Sequence, residues 1–155
     1  MNMEDYLIQL AQEYLTPFDG EVYWNKKKHR FEIYGTIFSA NTSHIALTDV
    51  DEVTSTEDVI EFTDGFCFYD EKYPVSSHEF LAGFPFSRKR GLEKGILKGA
   101  MVYFAEILAS GEKELAAFLT QDDEDLFELS YSKEALKKYL IKYQEEKELI
   151  SYPKF

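Results

Sequence analysis

The stretch from Leu92 to Ala109 most constrains how this chain can fold. Its apolar residues recur every three or four positions: Leu92, Ile96, Leu97, Ala100, Met101, Phe104, Ile107 and Leu108. This spacing predicts one long amphipathic helix. A helix with so wide an apolar face needs a second layer to cover it, and we expect that layer to be a sheet. Gly111 is predicted to end this helix, with a short further helix over 114–119.

Two shorter helices are predicted at the ends of the chain. Near the N-terminus, apolar residues at helical spacing run from Met3 to Leu15 and stop before Pro17. Near the C-terminus, Ser132 is a suitable N-cap for a helix whose apolar side carries Leu136, Tyr139, Leu140 and Tyr143.

Alternating patterns between these helices predict strands over 21–25 and 30–38, with Lys26 to His29 as the turn of a hairpin. Segments 59–63 and 66–70 flank Asp64-Gly65, a pair that favours a tight hairpin turn. Residues 79–84 are a further candidate strand, which Pro85 would confine to an edge or an end. Residues 126–131 alternate as a strand, whereas 40–58 are polar and predict a loop.

The order of elements predicts an α+β fold in one domain over residues 1–155. We expect an antiparallel sheet of about five to six strands, packed by an N-terminal helix, a long central helix and a C-terminal helix. Antiparallel pairing follows because the predicted hairpin turns are too short for parallel crossovers. The 155 residues are enough for one hydrophobic core.

Charge and composition narrow the classes of partner. The formal net charge of −12 opposes binding to nucleic acid or to an anionic membrane surface. No apolar run is long enough to span a bilayer, and the acidic N-terminus lacks the basic region of a secretory signal. We therefore expect a cytoplasmic protein, in which the single cysteine, Cys67, is a buried and inert core residue.

Motifs for catalysis, cofactors or metals are missing from the sequence. It contains no phosphate-binding or dinucleotide-binding glycine loop and no nucleophile elbow. The acidic residues between Asp49 and Asp64 do not follow the calcium-loop pattern, because Thr54 stands where glycine is needed. The histidines lack the spacing of zinc ligands. The sequence predicts no catalytic site, no cofactor and no metal.

Two basic clusters stand out against the acidic background. Lys26, Lys27 and Lys28 lie in the first hairpin turn, followed by His29 and Arg30, and Arg88, Lys89 and Arg90 directly precede Gly91. The second cluster falls at the predicted start of the long helix, where cations are unfavourable unless solvent, a carboxylate or a bound anion offsets them. It is therefore a candidate site for an anion or an acidic partner, with a solvated, self-neutralised turn as the alternative.

Gly91, Gly95 and Gly99 recur every four residues in this region. Each glycine inside a helix costs about 1 kcal/mol relative to alanine, so a close contact should offset the cost. Either the sheet of the same molecule or a second subunit, as in a homodimer, could supply that contact.

The segment from Trp24 to His29, Phe68-Tyr69, the run from Arg88 to Leu92 and the terminal Ser151 to Phe155 together resemble a known family. It is an uncharacterised family of small acidic proteins from Gram-positive bacteria, catalogued as domain of unknown function 3013. The resemblance spans nearly the whole chain. It implies a bacterial cytoplasmic protein without an established activity, and it carries over no catalytic residues.

The order of helix, antiparallel sheet and helix is also similar to that of secretion chaperones, which are acidic, often dimeric, and bind unfolded protein segments. At the level of fold, this similarity and the missing motifs favour a non-catalytic, chaperone-like or protein-binding module that accepts a partner segment at a sheet face or edge. The alternative is a small-molecule or anion sensor that uses Arg88, Lys89 and Arg90, with or without the first basic turn. An enzyme is the third hypothesis.

Overall fold

The computed structural model describes residues 1–40, 59–120 and 126–154, together with the backbone of 47–48 and 54–55. Its helices are α1 (Met3–Tyr14), α2 (Lys94–Phe118) and α3 (Lys133–Lys142), with a short 3-10 turn at Thr16–Phe18. Its strands are β1 (Glu21–Asn25), β2 (Arg30–Ala40), β3 (Leu47–Thr48), β4 (Thr54–Ser55), β5 (Val59–Asp70), β6 (Ala82–Phe86), β7 (Leu92–Glu93) and β8 (Leu149–Ile150).

Both terminal helices begin at side-chain caps. The Asn2 side chain accepts from the Asp5 N–H at 3.0 Å, and the Asp5 carboxylate accepts from the Asn2 N–H at 3.3 Å, which completes a capping box. Ser132 caps α3 as predicted, accepting from the Ala135 N–H at 3.3 Å. The predicted hairpin turn at Lys26 to His29 also forms, with His29 in the left-handed region at φ 54°.

The α+β class is confirmed, but the main sheet is smaller than predicted and mixed. Its four strands lie in the order β1-β2-β5-β6, and the last pair is parallel. The predicted antiparallel arrangement is therefore wrong at this edge. A parallel neighbour requires the chain to cross the sheet, and residues 71–81 make that crossover without a helix. As predicted, Pro85 lies in an edge strand, β6.

The predicted hairpin turn at Asp64-Gly65 is wrong, because β5 runs unbroken through it. All eleven residues of β2 pair in register with β5, from Arg30 with Tyr69 to Ala40 with Val59. Gly65 is needed for a close approach instead of a turn: a Cβ there would lie 2.7 Å from the Ile33 carbonyl oxygen.

Two further predicted boundaries are wrong for similar reasons. Helix α2 continues through Gly111, whose missing side chain makes room for Leu129. Residues 126–131 form no strand, although Phe127 and Leu129 are buried and alternate with exposed neighbours. Their alternation reflects packing of an irregular segment on the core, where the Phe127 ring lies 4.9 Å from that of Phe62.

One core lies between the sheet and the helices. The inward face of the sheet contributes Phe31, Ile33, Ile37, Phe62, Phe66, Phe68 and Phe84. Phe66 stacks on Phe104 of α2 with ring centres 4.5 Å apart. None of the helices in the described part of the chain is long and apolar enough to cross a bilayer.

Gly91, Gly95 and Gly99 contact the C-terminal part of the same chain, so the predicted contact with the sheet is wrong, while a homodimer stays a prediction. A Cβ on Gly95 would overlap the carbonyl oxygen of Tyr143, and one on Gly99 would lie 2.9 Å from that of Tyr139. Gly91, at φ +81°, lies against Ile150. The small residues let the backbone of α3 and of the residues after it approach α2 closely.

Candidate functional site

A buried ionic cluster lies on the face of the main sheet that the helices do not cover. Arg30 and Glu32 are only 7% and 6% exposed, although both point away from the hydrophobic core. Arg30 Nε donates to Glu32 Oε2 at 2.8 Å, and Arg30 Nη2 donates to Glu79 Oε2 at 2.9 Å. Glu32 also accepts from Tyr34 Oη at 2.6 Å and from Asn25 Nδ2 at 3.1 Å. We call these residues the Arg30–Glu32 cluster.

The donors around Glu32 keep it ionised despite its burial. Burial by itself raises the pKa of this carboxyl, but hydrogen bonds from Tyr34, Arg30 and Asn25 outweigh that effect and hold its pKa below the usual value. Burial and the Glu32 carboxylate raise the pKa of the Tyr34 hydroxyl far above its ordinary value. The cluster therefore holds a fixed negative charge and a protonated phenol.

Cys67 lies opposite Glu32 in the ladder between β2 and β5. Burial raises the pKa of its thiol to about 12. Because the thiolate is the nucleophilic form, the prediction of an inert cysteine agrees with this environment.

The crossover of residues 71–81 covers this cluster. Glu79 supplies its ion pair to Arg30, and the guanidinium carbon lies 5.3 Å from the centre of the Phe80 ring. Val75 packs against Gly83, next to Tyr69. In the sequence, Arg30 directly follows the first basic turn, and this position does not predict its role in the cluster. The sequence does carry one signal: Arg30 and Glu32 flank the core residue Phe31, so both side chains lie on the same, opposite face of the strand.

A cleft of about 720 Å³ opens beside the cluster. Its walls come from β5, from the end of the crossover, and from the irregular segment before α3. The lining residues are Tyr34, Phe62, Thr63, Asp64, Gly65, Ser77, His78, Glu79, Phe80, Leu81, Glu128, Leu129 and Tyr131.

The edge of β5 faces this cleft. Pairing with β6 begins at Phe66, preceded by one bond from the Leu81 N–H to the Gly65 carbonyl at 2.9 Å. Because backbone groups of alternate residues point to the same edge of a strand, those of Thr63 and Glu61 face the same side as Gly65. In the described part of the chain, no strand pairs with them there.

The two basic turns lie close together, with a hydrogen-bonded pair of aromatic residues between them. Lys26 Nζ is 4.7 Å from the centre of the Trp24 ring, and the Arg88 guanidinium carbon is 5.8 Å from the centre of the Tyr152 ring. Trp24 Nε1 donates to Tyr152 Oη at 2.7 Å. Arg88 Nε also lies 3.8 Å from a carboxylate oxygen of the buried Asp70. Lys27, Lys28, Lys89 and Arg90 are exposed.

The predicted position of the second basic turn at the N-terminus of α2 is wrong. Arg88, Lys89 and Arg90 precede β7, and α2 begins at Lys94. The first amides of the helix are already used: the Lys94 and Gly95 N–H groups each donate at 2.8 Å, to the carbonyls of Glu148 and Glu146. Any anion at this turn would therefore bind to side chains and not to the helix end.

Most of the acidic residues between Asp49 and Asp64, whose spacing does not fit a calcium loop, lie outside the described residues. Within the described part of the chain, no group of three or more His, Cys, Asp or Glu side chains is arranged to hold a metal ion.

These features define an α+β protein with a four-stranded mixed sheet, a buried ionic cluster and a stretch of the β5 edge that no described strand covers. The chain belongs to the protein family of unknown function DUF3013, whose model matches residues 1–154. It is similar to a solved structure, a conserved protein of unknown function from Enterococcus faecalis, with 28% identity and a TM-score of 0.86. The match covers 99% of this chain and 96% of that one. No curated protein matches the chain.

Proposed function

We propose that this chain is a non-catalytic, cytoplasmic protein-binding module that accepts an extended partner segment at the part of the β5 edge that no described strand covers. The proposal depends on one observation: the backbone groups of Thr63 face an open cleft of about 720 Å³, at an edge of β5 where no described strand pairs with them. An added strand would form hydrogen bonds with these groups, as in other proteins that bind peptides by strand addition.

Apolar side chains near this edge support the proposal. Beyond Tyr34, β2 no longer pairs with β1, so β2 and β5 continue as a two-stranded ribbon. On its helix-free face, Phe38 is 37% exposed and Val59 is 51% exposed. Side chains of a bound segment would bury part of this surface.

The ribbon offers a closely matched pair of variants. Thr36 and Thr63 pair directly, and their hydroxyl oxygens are 2.8 Å apart. By the same alternation, the Thr63 N–H faces the cleft and the Thr36 N–H faces the opposite edge. Thr63→Pro removes a donor from the proposed site. Thr36→Pro removes a backbone donor on the opposite edge of the ribbon, and both variants lose the contact between the two threonine hydroxyls.

The experiment selects a phage-displayed library of random linear peptides on the wild-type protein and measures Kd by fluorescence polarisation. We expect Thr63→Pro to weaken binding at least about tenfold and Thr36→Pro to leave it nearly unchanged. Circular dichroism verifies that both variants fold. If no peptide is enriched, or if Thr63→Pro binds as tightly as wild type, the proposal is wrong.

The second candidate function is anion sensing at the two basic turns. It is favoured by the ring pair Trp24 and Tyr152, over which Lys26 and Arg88 lie. The test is a thermal-shift titration with inorganic phosphate at constant ionic strength, with Lys27→Glu/Lys89→Glu as the comparison. Phosphate at a hundredfold excess over Kd should stabilise the wild type by about 2.7 kcal/mol and not the variant. Equal shifts in both proteins, or no shift in either, would rule out this site.

A further inference from the structure

The side chains that line the cleft carry an excess of negative charge. Asp64, Glu79 and Glu128 come from its three walls, and the described residues that line it include no Lys or Arg. Besides the tyrosines, His78 is the other ionisable side chain among these described residues. A segment bound against this surface would therefore meet a negative potential.

The charge of the neighbouring cluster does not cancel this excess. Glu79 pairs with Arg30, but the same guanidinium is also bonded to Glu32. Two carboxylates thus share one buried cation, and the cluster as a whole keeps a net negative charge. Glu128 is exposed on the opposite wall, where no described cation lies within ion-pair distance of it.

The walls also suit the stem of a long cationic side chain. Tyr34, Phe80 and Tyr131 line the cleft beside the carboxylates. Aromatic rings bind the methylene stem of lysine or the plane of a guanidinium, and the Phe80 ring already holds Arg30 in this way, 5.3 Å from the guanidinium carbon.

From the acidic lining and the aromatic walls, we infer that the segment bound at the β5 edge carries a Lys or Arg side chain that enters the cleft near Glu128. This inference rests on the proposed function and specifies its partner: an extended segment with a basic residue. Neutral and acidic segments would bind the same edge more weakly, since they lack the attraction or add repulsion.

The test uses three end-blocked, threonine-rich peptides that differ only in a central Lys, Gln or Glu. Their Kd values are measured by fluorescence polarisation on the wild type and on Glu128→Lys. Glu145→Lys is the matched control, because it changes the net charge equally at an exposed residue outside the cleft. Thr63→Pro reports separately whether the β5 edge is used.

We expect the Lys peptide to bind about fivefold more tightly than the Gln peptide, with the Glu peptide weakest. Glu128→Lys should remove this order, and Glu145→Lys should keep it. If all three peptides bind alike and Thr63→Pro weakens them all, the inference fails while the proposed function stands. If the preference for Lys survives in Glu128→Lys, the assigned position in the cleft is wrong. If no peptide binds, both proposals fail together.

Discussion

Replacing Glu32 by Gln should destabilise the protein strongly although the shape of the side chain is kept. The carboxylate is 8% exposed and accepts three hydrogen bonds, from Tyr34, Arg30 and Asn25, at 2.6, 2.8 and 3.1 Å. An amide has only one acceptor atom and introduces two donors among groups that already donate. The substitution also removes one of the two carboxylates that neutralise Arg30.

The expected cost follows from this burial. Removing one member of a buried ion pair typically costs about 3–5 kcal/mol, and the lower end applies because Arg30 keeps Glu79, so we expect about 3 kcal/mol. Glu79 is 41% exposed on its side chain, and Glu79→Gln should cost less than about 1 kcal/mol. Urea unfolding measures both values, with the single tryptophan, Trp24, as the fluorescent probe.

A double variant separates the ion pair from general packing. Arg30→Met/Glu32→Met removes both charges of the buried pair and leaves only the partly exposed Glu79 without its partner, so its cost should fall well below the summed costs of Arg30→Met and Glu32→Met alone. If Glu32→Gln costs no more than Glu79→Gln, or if the two single costs simply add, the Arg30–Glu32 cluster is not the stabilising unit described above.

Three further outcomes are expected. Because the pKa of Glu32 is lowered in the folded state, its stabilising effect is complete above the unfolded pKa of about 4.3 and is lost as the pH falls through the folded pKa. The free energy of unfolding, measured by urea titration at several pH values, should therefore fall more steeply on acidification in the wild type than in Glu32→Gln. Parallel slopes in the two proteins would contradict this. Gly95→Ala should cost about 2 kcal/mol of folding stability, because its Cβ would overlap a backbone carbonyl. In Gly111→Ala the new Cβ meets a leucine side chain that can move, so we expect a change of less than about 1 kcal/mol. Urea unfolding compares the two variants, and equal costs would refute the distinction. A thiol reagent should label Cys67 only on unfolding, because its thiol pKa is about 12, so rapid labelling of the native protein would contradict its burial.

The elements that the sequence predicted correctly are those with a local cause. The period of apolar residues in α2, the Ser132 cap of α3 and the first hairpin turn depend on neighbours a few residues apart. Such interactions are formed by the same short segment wherever it lies in the fold. The basic turns were also found from sequence, since runs of Lys and Arg are visible without any knowledge of contacts.

Glycine was misread where its partner is distant in sequence. At Gly65 and Gly111, a missing side chain accommodates a neighbour from another element, Tyr34 and Leu129 respectively. In the sequence alone these residues are indistinguishable from turn or break signals. Residues 126–131 illustrate the same ambiguity, because alternating burial arises in an irregular segment as readily as in a paired strand.

The sequence by itself determined the α+β class, the amphipathic helices and the surplus of negative charge, because these follow from composition and short-range spacing. Only the tertiary structure decided the parallel pairing of β6, the burial of Arg30 and Glu32 beneath the crossover, and the stretch of the β5 edge without a described neighbouring strand. The physical reason is that strand neighbours and charge partners are chosen by packing of the whole chain. Arg30 meets Glu79 across 49 positions of sequence, a separation that no local pattern encodes.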